Sequence, residues 1–302
     1  MISKKKSQQN NHLNTFRLFY RSVFTILLFF STSSSHAYIP PYWMIMSRVA
    51  ENHGRGIVRV DQDVIFKHGE EPLIVNEVWT VEGENTMHVQ ITGKRQLQNK
   101  INMTIIYNNN KKTFIDENGV KKSEKIPNDW FEPFFHFRYS KNIKPLFVAQ
   151  DIAPAESLKS AAHKYSQKNP LPPNESYLRL ARTNGLVAYA VTKDPLATTL
   201  VPGVWIEQDH FNILKLRLKS GLVIQANDYV PYSERLSLPK TRIVEWNNNK
   251  VEIVINSVKT LPGGSKTKEF FEAKSLDFGK DPSLAKIFPQ DPQLQEFYKQ
   301  TR

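Results

Sequence analysis

The sequence contains no cysteine. Disulfides, thiolate metal sites, a cysteine nucleophile and a lipid-modified amino-terminal cysteine are therefore excluded. Glycine is scarce, at 12 of 302 residues, and nowhere clustered. No loop resembles a phosphate cradle, no Gly-x-Ser-x-Gly elbow occurs, and no His-Glu-x-x-His run occurs. His53, His68, His88, His136, His163 and His210 are scattered, with no metal-ligand spacing on one element. We expect no metal, no cofactor and no catalytic activity. The amino-terminal stretch lacks acidic residues altogether. Lys4, Lys5, Lys6, Arg17 and Arg21 precede an eight-residue apolar run, Val23–Phe30, and then the small-residue stretch Ser31–Ala37. A membrane-spanning helix needs about 20 apolar residues, so this run is too short to anchor the chain. It reads as a secretory signal peptide, residues 1–37, cut after Ala37 at Ser35-His36-Ala37. The mature chain, 38–302, is then a single domain in the periplasm, exported and not lipid-anchored.

The leader carries five of the 41 basic residues, leaving 36 against 29 acidic ones and a net charge of +7. The remaining charge is interspersed, as at Lys94-Arg95, Lys111-Lys112 and Lys121-Lys122. Nucleic-acid binding calls for a basic stripe with exposed aromatics, and there is none. Transient contact with anionic membrane surfaces stays open. Glu207-Gln208-Asp209-His210 comes nearest to a catalytic cluster, but it reads as a polar strand end and turn. Convergence of Asp209 and His210 with a serine or glutamate would revive a hydrolase. Asp61 and Asp63 share a strand face with Arg59 and Lys67, which reads as a solvated face.

What the chain has in quantity is alternating β-branched and aromatic residues. Leu238–Val258 holds two such runs around Asn247-Asn248-Asn249, a β-hairpin with a turn suited to positive φ. Similar runs cover Ile57–Phe66, Leu73–Val81, Met87–Ile91, Ile101–Tyr107, Lys112–Asp116, Ser176–Arg182, Leu186–Thr192, Gly203–Gln208, Ile213–Lys219 and Leu222–Tyr229. Asn108-Asn109-Asn110, Asn184-Gly185 and Ser220-Gly221 mark tight turns, which force antiparallel neighbours. Leu214, Leu216 and Leu218 alternate with Lys215, Arg217 and Lys219, predicting a strand with one wet face. Trp43–Asn52 has helical spacing, with Trp43, Met46, Val49 and Ala50 on one face and Gly54 as a cap. Ile126–Gln150 breaks the strand pattern and predicts one or two short helices, with Pro145 interrupting the second apolar run. Asp291–Tyr298 predicts a final helical turn or two. The fold class is mainly β: a curved antiparallel half-open barrel of about a dozen strands with an amino-terminal helix and a helical insertion as lid. An integral outer-membrane barrel is the rival, but the strands lack aromatic girdles and the sequence ends in Lys299-Gln300-Thr301-Arg302.

The layout, with Leu238-Pro239-Lys240 opening the last hairpin, Asn256-Ser257-Val258 near its close and Phe271 beyond, resembles the outer-membrane lipoprotein-sorting family of LolA-like, LolB-like and RseB-like proteins. This sequence has Thr260-Leu261-Pro262-Gly263 in place of the family's Asn-hydrophobic pair, and lacks the lipid-modified cysteine of LolB-like members. The resemblance implies an apolar cavity inside the curved sheet, although alternating patterns fit a filled core equally well. It implies carriage or sensing of an acyl chain or lipoprotein. Trp130, Phe131, Phe134, Phe135 and Phe137 are the lid candidates, and Trp79, Trp205 and Trp246 are the candidate lining. A protein-interaction or envelope-sensing module without a lipid ligand is the alternative.

Overall fold

The computed structural model describes residues 39–67, 71–83, 85–116, 119–127, 130, 132, 136–155, 158, 177–193, 201–233, 235–264, 268–272, 276 and 291–302. The leader, the proposed cleavage at Ala37, and Phe131, Phe134 and Phe135 lie outside them.

The sheet grows from two meanders. β1 (Ile57–Phe66), β2 (Leu73–Gly83), β3 (Thr86–Lys94), β4 (Asn102–Asn108), β5 (Lys111–Ile115) and β6 (Lys121–Lys125) step outward in one direction. β7 (Leu178–Thr183), β8 (Leu186–Thr192), β9 (Gly203–Glu207), β10 (Ile213–Arg217), β11 (Val223–Ser233), β12 (Leu236–Trp246) and β13 (Asn249–Leu261) step back from the far edge. β1 and β13 pair antiparallel at the centre, Val58 opposite Thr260 and Phe66 opposite Val251. The result is one 13-stranded antiparallel sheet with β6 and β7 as its edges, so it does not close. Register shifts at Asp61/Gln62, Val81/Gly83, Ile213/Lys215 and Pro231/Ser233 mark bulges, each of which bends and twists its strand. The half-open barrel expected from the sequence is the architecture observed.

Turn chemistry fixes the register. Asn247 and Asn248 have φ of 42° and 64°, and Asn109 and Asn110 have φ of 50° and 60°. Both pairs are two-residue hairpin turns with positive φ throughout, which match the twist of the flanking strands. In each Asn triplet the remaining residue belongs to a strand.

Three helices pack on one face of the sheet: α1 (Tyr42–Glu51), α2 (Ser140–Ala149) and α3 (Pro292–Thr301). They bury Ile45, Met46 and Val49, Ile143 and Phe147, and Leu294, Phe297 and Tyr298 against Val60, Val64, Phe66, Trp79, Val89 and Trp246. Fully burying such a side chain contributes about 1.5–3 kcal/mol. The inner face is thereby filled in front of β1, β2 and β12.

Several expectations need correction. Trp43 is 46% exposed, and Ile45 takes the buried position on α1. The chain must turn directly from α1 into the bridge between His53 and Leu236, and this rotates the buried stripe. Pro145 does not break the second apolar run, since α2 passes through it. Its missing N–H forgoes one bond, to the Lys141 carbonyl, and burial of Ile143 and Phe147 on either side offsets that loss. β6 (Lys-Lys-Ser-Glu-Lys) was not expected as a strand. All five residues are exposed, and it is held by pairing with β5 and by the Lys122–Asp116 salt bridge at 2.9 Å. The Ile213/Lys215 irregularity turns Leu214 away from Leu216 and Leu218, onto the opposite face.

Candidate functional site

Alternation along β1, β2 and β12 sends Gln62, Glu77 and Arg242 to the inner face, among Val60, Val64, Val75, Trp79 and Val244. These polar side chains meet Glu132, from the insertion, and Arg302, just beyond α3. All five are almost fully buried. Together they form a ring. Arg302 grips Glu77 with two bonds, Nε to Oε1 at 3.1 Å and Nη2 to Oε2 at 2.8 Å. Its Nη1 donates to Glu132 Oε2 at 3.1 Å. Arg242 Nη1 donates to Glu132 Oε1 at 3.1 Å, and Arg242 Nη2 donates to Gln62 Oε1. Gln62 Nε2 closes the ring on Glu77 Oε2 at 2.8 Å, where Trp79 Nε1 also donates at 2.9 Å.

Two carboxylates balance two guanidiniums, so the ring is neutral as a unit. Burial alone would raise the Glu77 carboxyl. The Arg302 charge and the bonds from Arg302, Trp79 and Gln62 outweigh burial and hold it below the usual carboxylate range. Burial also opposes the charge on Arg302, yet Glu77 and Glu132 hold that guanidinium firmly protonated. The Arg302 guanidinium further lies 4.7 Å from the Trp79 ring centroid and 5.4 Å from that of Phe297. The ring pins α3 and the insertion to the sheet.

The expected lining and lid residues divide as follows. Trp79 lies on the inner face, stacked on Tyr107 with centroids 6.4 Å apart. Tyr107 stacks in turn on Trp130, at 4.5 Å. Trp246 packs against Phe297 at 5.6 Å, and Phe137 against Phe147 at 6.0 Å. Trp205 lies on the other face, with Ala188, Ala190 and Leu214. Lys215 Nζ and the Arg217 guanidinium lie 5.2 and 5.7 Å from its ring. Trp205 therefore cannot line an inner cavity, because its neighbours Val204 and Ile206 take the inward positions.

Open space remains at the side of the sheet near β6. A pocket of about 540 Å³ is lined by Tyr107, Trp130, Ile126, Leu218 and the cations Lys112, Lys125, Lys219 and Lys299. An adjoining cleft of about 400 Å³ separates α3 from β4 and β5. Met103, Ile105, Phe114 and Tyr298 form its apolar wall. The two share Lys112, Glu124, Lys299 and Arg302. An apolar wall with a few convergent polar groups is the usual form of a small-molecule site, in the usual size range.

A third, wider cleft of about 1270 Å³ lies between α1 and β8–β11 and includes Glu207, Asp209, His210 and Ser237. Glu207 is occupied in its own turn, accepting from the Asp209 and His210 N–H groups at 3.0 and 2.6 Å and contacting His210 Nδ1 at 3.1 Å. Among the described residues no hydrogen bond joins His210 to a serine hydroxyl. Asp63 is paired with Lys94 at 2.6 Å and, with Asp61, accepts from Asn76, so these two carboxylates are structural.

The sequence reading missed the ring. Its signal was a polar residue at an inward position of a strand, as with Gln62 between Val60 and Val64, or Glu77 between Val75 and Trp79. Glu132 and Arg302 lie outside strands and carried no such signal.

No protein-family model matches the sequence, and no curated protein matches it. Among solved structures the chain is similar to a LolA superfamily protein from Nitrosomonas europaea, with TM-score 0.49 and 11% identity over 79% of this chain and 100% of that one. It is similar to a domain from Vibrio parahaemolyticus assigned to outer-membrane lipoprotein sorting, with TM-score 0.46 and 14% identity over 78% of this chain and 97% of that one. A DUF1329 family protein from Desulfovibrio piger gives TM-score 0.46 and 9% identity over 78% and 97% of the two chains. The likeness is one of strand and helix layout.

Proposed function

We propose that the protein binds and carries an acyl-chain ligand in the periplasm, after removal of residues 1–37. The apolar cleft between α3 and β4–β5, adjoining the pocket walled by Tyr107 and Trp130, is the observation that carries this reading. The ligand chain lies along Met103, Ile105, Phe114 and Tyr298. Each buried methylene contributes about 0.8 kcal/mol, so one chain gives useful affinity without a polar contact. Trp130 and Phe137 stand at the inner end of the insertion, and the lid role extends to Phe131, Phe134 and Phe135. The inner face behind α3 is packed, so the chain enters beside α3 and not through the sheet.

Displacement of a fluorescent fatty acid tests this. Met103→Trp fills the cleft and should weaken uptake at least tenfold with the far-UV circular dichroism unchanged. Phe134→Ser with Phe135→Ser should weaken it through the lid. Leu186→Ser, in the separate cleft near α1, should leave uptake as it was. Equal uptake by the Met103→Trp variant would remove the cleft from the account.

A protein-binding role is the second reading, favoured by the wide cleft beside α1, where Leu186 is 48% exposed.

A further inference from the structure

The charges around the 540 Å³ pocket do not cancel. Lys219 is paired with Asp151 at 3.1 Å, and Arg302 is committed to Glu77 and Glu132. Lys112, Lys125 and Lys299 remain, and Glu124, opposite Lys112 across β5–β6, is the one acidic side chain among the described residues lining the pocket. Among the described side chains, three cations against one anion leave an excess of positive charge facing a common space. Among the described residues none of these three lysines forms a salt bridge. Lys112 is half-buried, and its Nζ donates to the main-chain oxygen of Arg302 at 2.9 Å. An ammonium pulled partly out of water gains more from an added anion than one on an open surface.

A second observation points the same way. Tyr107 and Trp130 form the pocket's stacked inner wall, and Tyr107 is 1% exposed. The Tyr107 hydroxyl and the Trp130 indole N–H are both buried and without a hydrogen-bond partner among the described residues. Their polar atoms are sealed within the stack, so Tyr107 and Trp130 give the pocket an apolar inner wall beside its three lysines.

We propose that this pocket receives the phosphate-monoester head of a single-chain lipid, with Lys112, Lys125 and Lys299 as counter-charges and the Tyr107–Trp130 stack as the apolar wall behind it. The inference rests on the acyl-ligand reading above and adds the head group to it. A phosphate monoester carries about −1.5 to −2 charges at pH 7 and three acceptor oxygens, which matches the cationic excess of the lining. A neutral glyceride head supplies acceptors without charge, and a carboxylate supplies only one charge.

Competition against a bound fluorescent fatty acid separates these cases. The competitors are lysophosphatidic acid, the fatty acid and the monoacylglycerol of one chain length, and inorganic phosphate alone. Lysophosphatidic acid should displace the probe at least tenfold more strongly than the monoacylglycerol, with the fatty acid between them. Phosphate alone should displace nothing at the same concentration. The exposed-site variant Lys125→Gln with Lys299→Gln should shrink the tenfold gap, and so should Lys112→Gln. Melting curves establish that each variant is folded. Equal displacement by charged and neutral lipids would overturn the head-group proposal and leave the carrier reading standing. Displacement by phosphate alone would overturn the lipid assignment. Failure of the probe and of every lipid to bind would overturn both readings.

Discussion

Glu77 is buried completely in the centre of a strand and stays ionised because Arg302 faces it with two hydrogen bonds. Removing one partner of such a pair leaves an uncompensated charge, at a cost of about 3–5 kcal/mol. Glu77→Gln should lower stability at pH 7 by that amount, measured by urea denaturation. The acid dependence has a definite sign. The folded Glu77 carboxyl is held below its unfolded value of about 4.3, so its contribution is complete above that pH and is lost as pH falls toward the folded value. Burial pushes His53 and His88 the other way in charge, down to about 4, keeping both rings neutral when folded. The unfolded chain takes up those protons near pH 6.5, so their share of stability is lost between about 6.5 and 4. Melting temperature should therefore fall in two stages on acidification. His53→Asn with His88→Asn should flatten the first, and Glu77→Gln the second. A single fall unchanged by either variant would contradict these assignments.

At the level of elements, α3 acts as the stopper of the open barrel. Phe297 meets Phe66, Trp246 and Tyr298 with centroids 5.3–5.6 Å apart, and Asp291 caps the helix by accepting from the Leu294 N–H at 3.0 Å. Phe297→Ala should cost about 3–5 kcal/mol and shift the Trp246 fluorescence to the red. The β12–β13 turn makes a smaller test. Asn248 already sits at positive φ, so Asn248→Gly should raise stability by up to about 1 kcal/mol in thermal melting. Strands with a clear apolar phase were legible from sequence, as β1 shows, with Val58, Val60, Val64 and Phe66 all inward. β6 was not legible, because an all-polar edge strand has no phase to read. Leu214 was misplaced because a one-residue bulge reverses every later side chain and leaves no mark in composition. The role of α3 was hidden for another reason. A short amphipathic helix shows which residues are apolar, but not that its end delivers Arg302 to a carboxylate 225 positions earlier in the chain.

At the scale of the whole molecule, β6 and β7 are the two edges of the sheet among the described residues. A sheet with open edges cannot span hydrocarbon, where every backbone group needs a partner. No helix among the described residues is long and apolar enough to cross a membrane. The lysines of β6 instead guard an edge against pairing with another chain. Three helices pack on part of the inner face, where alternation alone left a filled core and a cavity equally open. Among the described residues the inner face in front of β1, β2 and β12 is filled, and open space lies beside α3, under a cationic rim. The measurement that bears most directly on the carrier reading is native mass spectrometry of the protein purified from the periplasmic fraction without detergent. The account predicts an added mass that organic-solvent extraction releases as an acyl-bearing lipid, and that Met103→Trp reduces. A bare polypeptide mass, from protein that also fails to take up fluorescent fatty acid, would contradict it.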